Sequence, residues 1–352
     1  MEATHLTAED TDEWWDYYEA VDEPGPYHRP DYLLTLAGEF EHKDERAEAF
    51  VLEDGDELVY YPYIRRSLES VPFADEAETD LSEYDDIVSS WYYGGPFTSR
   101  DDGELCEAFA EEFCDFCWSE DIVAEFVRFD PNERNHERFD CLEPEFNRET
   151  VTVDLTKDED TIREEFEKRN RNAIRQAQET ELEVEPTEER EDYEAFYGIY
   201  TNAMDAKEAT DHYRFEYSFF VDMLETDLST LLVAKYDDEV VGGAMVVHDE
   251  RIAHDYLRAS NPDYWDMRVN NLLCYRALMH MRETGRETFD FQGGRPGFFK
   301  FKKSFSPHLA ELYLATSVHM PGVYDDLTDE AERAGIDTGG GYFPEYRVEK
   351  SN

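Results

Sequence analysis

In the second half of the chain the spacing of apolar residues changes in a regular order. Residues 160–178 repeat at helical spacing and put Ile162, Phe166, Ala173, Ile174 and Ala177 on one side of an amphipathic helix. Residues 192–225 read as largely helical. Three β-rich runs follow: LLVAKY (231–236), then after a DDE turn VVGGAMVVH (240–248), then RIAHDYLRA (251–259). Such runs, separated by short turns, predict a three-stranded meander. Val269–Thr284 returns to helical spacing and stops near Gly285. ETFDFQ (287–292) predicts a strand that leads into a loop, and LAELYLAT (309–316) the last strand. Residues 321–352 read as a peripheral acidic tail.

The first half repeats this theme less clearly. Residues 50–66 predict a hairpin turning at Glu53–Asp56, and WYYGGPF (91–97) an aromatic strand running into a Gly-Gly-Pro turn. Gly103–Ser119 predicts a helix and VTVDL (151–155) a strand. Each half therefore offers a helix, a hairpin, a helix and a further strand, as a duplicated α/β (α+β) unit would. A length of 352 residues suits two domains, set here at 1–150 and 151–320, with the tail at 321–352.

Composition narrows the class. Asp and Glu number 87 against 33 Lys and Arg, a net charge of −54 spread along the whole chain. Self-repulsion of that size is screened at molar salt, where the Debye length falls to about 3 Å. The acidity thus reads as adaptation to a salty, halophilic cytoplasm. At 40% hydrophobic and 14% aromatic residues the chain can still build a core. Its first residues, MEATHLTAEDTDEWW, show no signal-peptide pattern, and no apolar run reaches the roughly 20 residues of a membrane span. The expectation is a cytoplasmic protein without a transmembrane segment.

Five cysteines, an odd number, argue against a disulfide framework. Cys114-x-x-Cys117 lies in a helical pattern and reads as core packing. The sequence lacks a Walker A loop, HExxH, GxSxG and GxGxxG. His248 and His254 could meet across a hairpin, but two histidines make a weak metal signal, and no metal is expected. DNA binding is not expected either, because the charge opposes it and no long basic stripe exists.

Against this acidic background two basic clusters stand out. FQGGRPGFFKFKKSFSPHLA (291–310) holds Arg295, Lys300, Lys302 and Lys303 and no acid. Gly293, Gly294 and Gly297 let backbone approach a ligand. If the segment is extended, Lys300 and Lys302 share a side only where Phe301 sits in a bend. Phe301 and Phe305 flank Lys302 and can bury its stem. The second cluster is KRNRNAIR (168–175), with Lys168, Arg171 and Arg175 on one helical face and Arg169 beside them. Guanidinium forks suit phosphate or carboxylate oxygens.

Several of these blocks, in order, resemble the FemABX-like transferases, the peptidoglycan-bridge aminoacyltransferases and their acetyltransferase-like relatives in the GNAT superfamily. They are KRNRNAIRQAQETELEVE, LLVAKYDDEVVGGAMVVH, VNNLLCYRALMHMRETGRETFDFQGG and GFFKFKKSFSP, which is similar to the family's G-x-x-x-F-K-x-x-F block. WYYGGPF resembles the family's Tyr-Gly-Gly-Pro segment. The resemblance implies tandem GNAT-like domains, each a mixed, mainly antiparallel sheet flanked by helices. It also implies an acyl or aminoacyl transferase acting on an amine.

Lys302 matches the lysine of the F-K-x-x-F block, to which the family assigns oxyanion stabilisation. Acyl transfer to an amine passes through a tetrahedral oxyanion that an ammonium can stabilise. Asp290, on the preceding strand, could orient the amine or take its proton, or only cap the strand end. Tyr256 could protonate the leaving group, or serve as core. Arg169, Arg171, Arg175, Arg295, Lys300, Phe301 and Gly294 would bind an anionic acceptor, a small molecule or a nucleotide- or lipid-linked amine.

No cofactor is expected to be tightly bound. ASNPDYWDMRVNN (259–271) lacks the Arg/Gln-x-x-Gly-x-Gly/Ala loop with which ordinary GNAT enzymes hold acyl-CoA, and no inserted coiled-coil arm is visible between 176 and 230. The donor stays open between acyl-CoA and aminoacyl-tRNA, with tRNA a possible partner. Two further readings remain: an acyl-CoA-dependent N-acetyltransferase of a small amine, and a non-catalytic anion-binding module with the same fold.

Overall fold

The computed structural model describes residues 1–21, 24–39, 44–98, 103–207 and 213–349. In chain order the elements begin with β1 (Glu2–Leu6), α1 (Thr11–Ala20), α2 (Pro30–Glu39), β2 (Glu45–Asp54), β3 (Glu57–Ser67) and β4 (Asp85–Val88). Next come α3 (Gly103–Ser119), β5 (Ile122–Arg128), β6 (Glu145–Asp154), α4 (Glu159–Glu165), α5 (Lys168–Gln178) and β7 (Glu183–Thr187). Then follow α6 (Arg190–Ala206), α7 (Tyr217–Leu224), β8 (Ser229–Tyr236), β9 (Glu239–His248) and β10 (Ile252–Ser260). The last are α8 (Val269–Glu283), β11 (Thr288–Asp290), α9 (Pro296–Lys302), β12 (Leu309–Val318) and α10 (Pro321–Arg333).

Two compact units emerge. Unit 1 comprises Met1–Asn147 and Leu312–Asn352, and unit 2 comprises Arg148–Glu311. The strand order is β1-β2-β3-β4-β5-β12 in unit 1 and β6-β11-β10-β9-β8-β7 in unit 2. Pairing is antiparallel except for β4 with β5 and β10 with β11. Both sheets are thus mixed and mainly antiparallel, and helices flank them.

In unit 2, α4, α5 and α8 cover one face over Ile162, Ile174, Leu273, Leu278, Phe289 and Phe305, all nearly or fully buried. Each large side chain buried this way contributes about 1.5–3 kcal/mol. On the other face α6 lies against β9 and β10. Gly243 makes that approach possible, because a Cβ there would sit 2.4 Å from Phe196 Cδ2.

Three readings are corrected. The helix expected over 160–178 breaks into α4 and α5, because Phe166 and Glu167 are extended (ψ 144° and 143°) while the Phe166 ring enters the core beside Phe305. WYYGGPF forms no strand and pairs only through single bridges at Gly94 and Phe97. Residues 321–348 are no peripheral tail. Helix α10 buries Tyr324, Leu327 and Ala331, and Tyr346 is fully buried behind it, so the segment belongs to the core of unit 1. Between 176 and 230 the chain forms β7, α6 and α7, with residues 208–212 outside the described set.

Candidate active site

The site begins where two parallel strands separate. β10 and β11 pair through Ile252–Thr288, Ala253–Phe289 and His254–Asp290. Beyond Asp290 the chain stays with β6, through Phe291 N–H to Val151 O (2.8 Å) and Val151 N–H to Gln292 O (3.4 Å). β10 continues to Ser260 alongside β9. Gln292, a buried non-glycine residue, takes φ 63° at the point of divergence. Such left-handed backbone in a side-chain-bearing residue stores about 1–3 kcal/mol and concentrates at functional sites.

The basic segment after this point is a short helix, α9, and not the extended loop expected. Pro296 opens it at the first helical position, where proline's missing N–H costs nothing. Lys300 and Lys302 still diverge, since two residues turn a helix by about 200°. Lys302 points inward and its Nζ donates to Gly293 O (2.9 Å). Burial lowers its pKa. Asp255 opposes that shift, Arg258 adds to it, and Asp290 opposes it again. Gly294 takes φ 141°, and a Cβ there would crowd Phe298 at 3.3 Å.

Asp290 is fully buried. Its Oδ1 accepts Gln292 N–H (2.6 Å), and its Oδ2 lies 3.5 Å from Nδ1 of His254, also fully buried. Tyr256 is buried at a bulge in β10, between Asp255 and Leu257. Beside the bulge Arg258 clasps Asp255 with two hydrogen bonds, 3.2 and 3.0 Å. Asp255, Arg258 and Gln292 were not among the sequence-derived candidates, and His254 was weighed only as a metal ligand. Only the Asp and the second Arg inside the mostly apolar run RIAHDYLRA hinted at the first two.

On the surface a groove of about 520 Å³ runs between α5, the start of α8, and α9. Its cations are Arg169, Arg268 and Lys300, its amides include Asn170 and Asn271, and among the described residues no carboxylate lines it. Arg268 holds φ 61° at the N-cap of α8, so the positive end of that helix opens on the groove. Buried Asn170 fastens the walls. Its Nδ2 donates to Ser304 O (3.1 Å) and its Oδ1 accepts from Asn271 (2.8 Å). Arg169 donates to Lys300 O (3.2 Å) and meets Glu167 at 2.6 Å. Phe301 lines the same groove, and Gly294 lines a neighbouring one with Lys300 and Lys303.

Not every basic residue of the sequence clusters joins this groove. Arg171 turns away and donates to the carbonyls of Glu164 (3.0 Å) and Phe166, closing the end of α4. Arg175 stays exposed and faces Glu179 at 3.9 Å. Arg295 is exposed at the start of α9.

His248 is engaged by Thr230 and Arg286, both at 2.9 Å. Among the described residues no group of three or more His, Cys, Asp or Glu is placed to hold a metal, and no helix is long and apolar enough to cross a membrane.

The domain containing this site matches a known family: residues 164–303 fit an acetyltransferase (GNAT) domain. A comparison with curated proteins found no match. Among solved structures the whole chain resembles FemX, with 14% identity, TM-score 0.68, and coverage of 92% of this chain and 99% of that one. It also resembles the C-terminal domain of a putative lysylphosphatidylglycerol synthetase from Agrobacterium fabrum (15% identity, TM-score 0.54, coverage 90% and 95%). A tandem GNAT protein from the clavulanic acid biosynthesis pathway gives 10% identity, TM-score 0.51 and coverage of 90% and 99%. At these identities the likeness is one of fold.

Residues 164–303 thus carry a GNAT acetyltransferase domain, and the chain as a whole has the fold of tandem GNAT-like units. Over the whole chain the fold is FemX-like.

Proposed function

We propose that this protein moves an acyl or aminoacyl group onto an amine of an anionic acceptor, nucleotide- or lipid-linked. The observation that carries this reading is the groove of Arg169, Arg268 and Lys300, lined by no carboxylate among the described residues, beside a half-buried Lys302 on a chain of net charge −54. A groove kept free of acid on so acidic a chain suits phosphate. The fold also occurs in a putative lysylphosphatidylglycerol synthetase, a name that joins an aminoacyl group to a lipid phosphate.

In this reading the amine attacks the donor carbonyl where β10 and β11 part. Lys302 donates to the oxyanion as it forms, in a site whose low dielectric strengthens the contact. Asp290 takes the proton from the attacking nitrogen. Tyr256 supplies one to the departing oxygen or sulfur. Arg169, Arg268 and Lys300 hold the phosphates.

A second reading uses acyl-CoA on a small amine. The opening of the α8 N-terminus onto the groove favours it, because helix N-termini suit pyrophosphate.

The test is acyl transfer by the purified protein in multi-molar KCl, with labelled aminoacyl-tRNA and labelled acetyl-CoA offered in parallel to a pooled amine fraction. Transfer from charged tRNA alone supports the first reading and transfer from CoA alone the second. No transfer from either donor removes both and leaves the anion-binding module.

A further inference from the structure

Asp255 and Arg258 should not be able to meet. In a regular strand residues three apart point to opposite faces. The bulge at Tyr256 inserts one residue into β10, restores the phase, and lets the guanidinium clasp the carboxylate bidentately with both side chains largely buried (12% and 6% exposed). The pair has a third contact. The Arg258 guanidinium lies over the Phe301 ring, 5.2 Å from its centroid. Phe301 immediately precedes Lys302.

A buried ion pair contributes little net stability compared with apolar residues of the same size. This one joins the bulged strand to the residue before the ammonium that the site presents. We infer that Arg258, locked by Asp255, is a positioning residue that fixes Lys302, through the Phe301 ring and through like-charge repulsion, against the Gly293 carbonyl.

The charged and titratable groups acting on Lys302 are Asp255 and Arg258 from β10, Asp290 from β11 and Cys274 from α8. Arg258 is the cation of this set, so its removal should make Lys302 easier to protonate. Arg258 gains a catalytic purpose only under the acyl-transfer reading. Its hold on Lys302 is measurable without any substrate.

The experiment is pH-dependent acetylation of the folded protein by dilute acetic anhydride, with the extent at each lysine read by mass spectrometry. Exposed Lys168 serves as the internal reference. In the native protein Lys302 should reach half-labelling at a lower pH than a free lysine side chain. In Arg258→Met the Lys302 midpoint should move up by about one unit, and the Lys168 midpoint should stay. Arg258→Lys keeps the charge but loses the fork and the ring contact, and should give an intermediate shift.

A purely structural pair would lower the melting temperature and leave the Lys302 midpoint in place. That result, or a downward shift, overturns the inference. Should Arg258→Met fail to fold, Phe301→Leu removes the ring under the guanidinium. Lys302 should then label several-fold faster at pH 8, and an unchanged rate would overturn the inference equally. If no donor supports transfer in the native protein, the acyl-transfer reading fails while the labelling result still decides the role of Arg258.

Discussion

Each unit has one parallel strand pair, and the two pairs end differently. In unit 1, β4 and β5 part after Val88 and Phe126, and the gap is stitched. Ser89 N–H reaches Phe126 O (3.0 Å) and Gly94 N–H reaches Arg128 O (2.8 Å). The buried Asn135 amide donates to the carbonyls of Gly94 (2.9 Å) and Pro96 (3.0 Å). His28, fully buried, meets Gly95 O at 3.1 Å. In unit 2 the chain after β11 follows β6 away from β10, and an ammonium and an ion pair line the parting. The same pair of strands makes a sealed joint in one unit and a charged fork in the other. Chemistry is expected where buried charge has been left without a backbone seal.

The sharpest way to break this contrast is to remove the ammonium. Lys302→Ala should lower kcat/KM by about 10²–10³ if Lys302 serves the oxyanion, with the fold intact by circular dichroism. Turnover within two-fold of native would end that role.

The sealed joint should instead respond in stability. Burial lowers the His28 pKa from 6.5 to about 4. A folded-state value below the unfolded one means that stability is complete above about pH 6.5 and is lost as pH falls toward 4, by about 3 kcal/mol in all. Urea midpoints at pH 7.5 and 4.5 should show this loss, and His28→Gln should remove most of it. Equal pH dependence in both proteins would show that His28 is not the titrating group.

Asn135→Ala leaves two buried carbonyls without their donor and should cost about 2–3 kcal/mol. Per folded molecule its turnover should match native. A loss like that of Lys302→Ala would erase the contrast between the units.

Smaller effects belong to the groove. Arg169→Gln or Arg268→Gln should raise KM about ten-fold with kcat unchanged, as loss of uniform binding does. Arg175→Gln should stay within two-fold, since Arg175 faces Glu179 in solvent. Equal effects at 169 and 175 would move the anion site off the groove. Independently of these variants, the net charge of −54 predicts a melting temperature that climbs with KCl up to molar concentrations.

Legibility of the fold followed the strength of local signals. Gly103–Ser119, the meander from β8 to β10 and helix α8 came directly from period and turn residues, within a few residues of the observed bounds. Helix α9 did not, although Pro296 sat at its first position, because the glycines on either side read as loop. Helix α10 carries Tyr324, Leu327 and Ala331 at helical spacing, yet its acidic residues matched a background in which acid means nothing.

Of the candidate site residues, Lys302 and Asp290 act on each other near the parting strands, Tyr256 lies at the bulge of β10, and Arg169 with Lys300 lines the groove. Arg171 could not be sorted from its neighbours, because the break between α4 and α5 that captures it lies in a uniformly charged run. The Asp255–Arg258 pair was hidden for a different reason. Its odd spacing argues against contact, and a bulge leaves no mark in a pattern of residue types.

That bulge also sets what can be transplanted. Deleting Tyr256 would make β10 regular and leave Asp255 and Arg258 two apart on one face, so the bulge is what lets Tyr256 stand between them without parting the pair. Grafting these side chains onto a regular strand would scatter them, however faithfully the residue types were copied. The portable unit of this site is therefore nine residues with one too many, and a designer borrowing it must copy the miscount along with the chemistry.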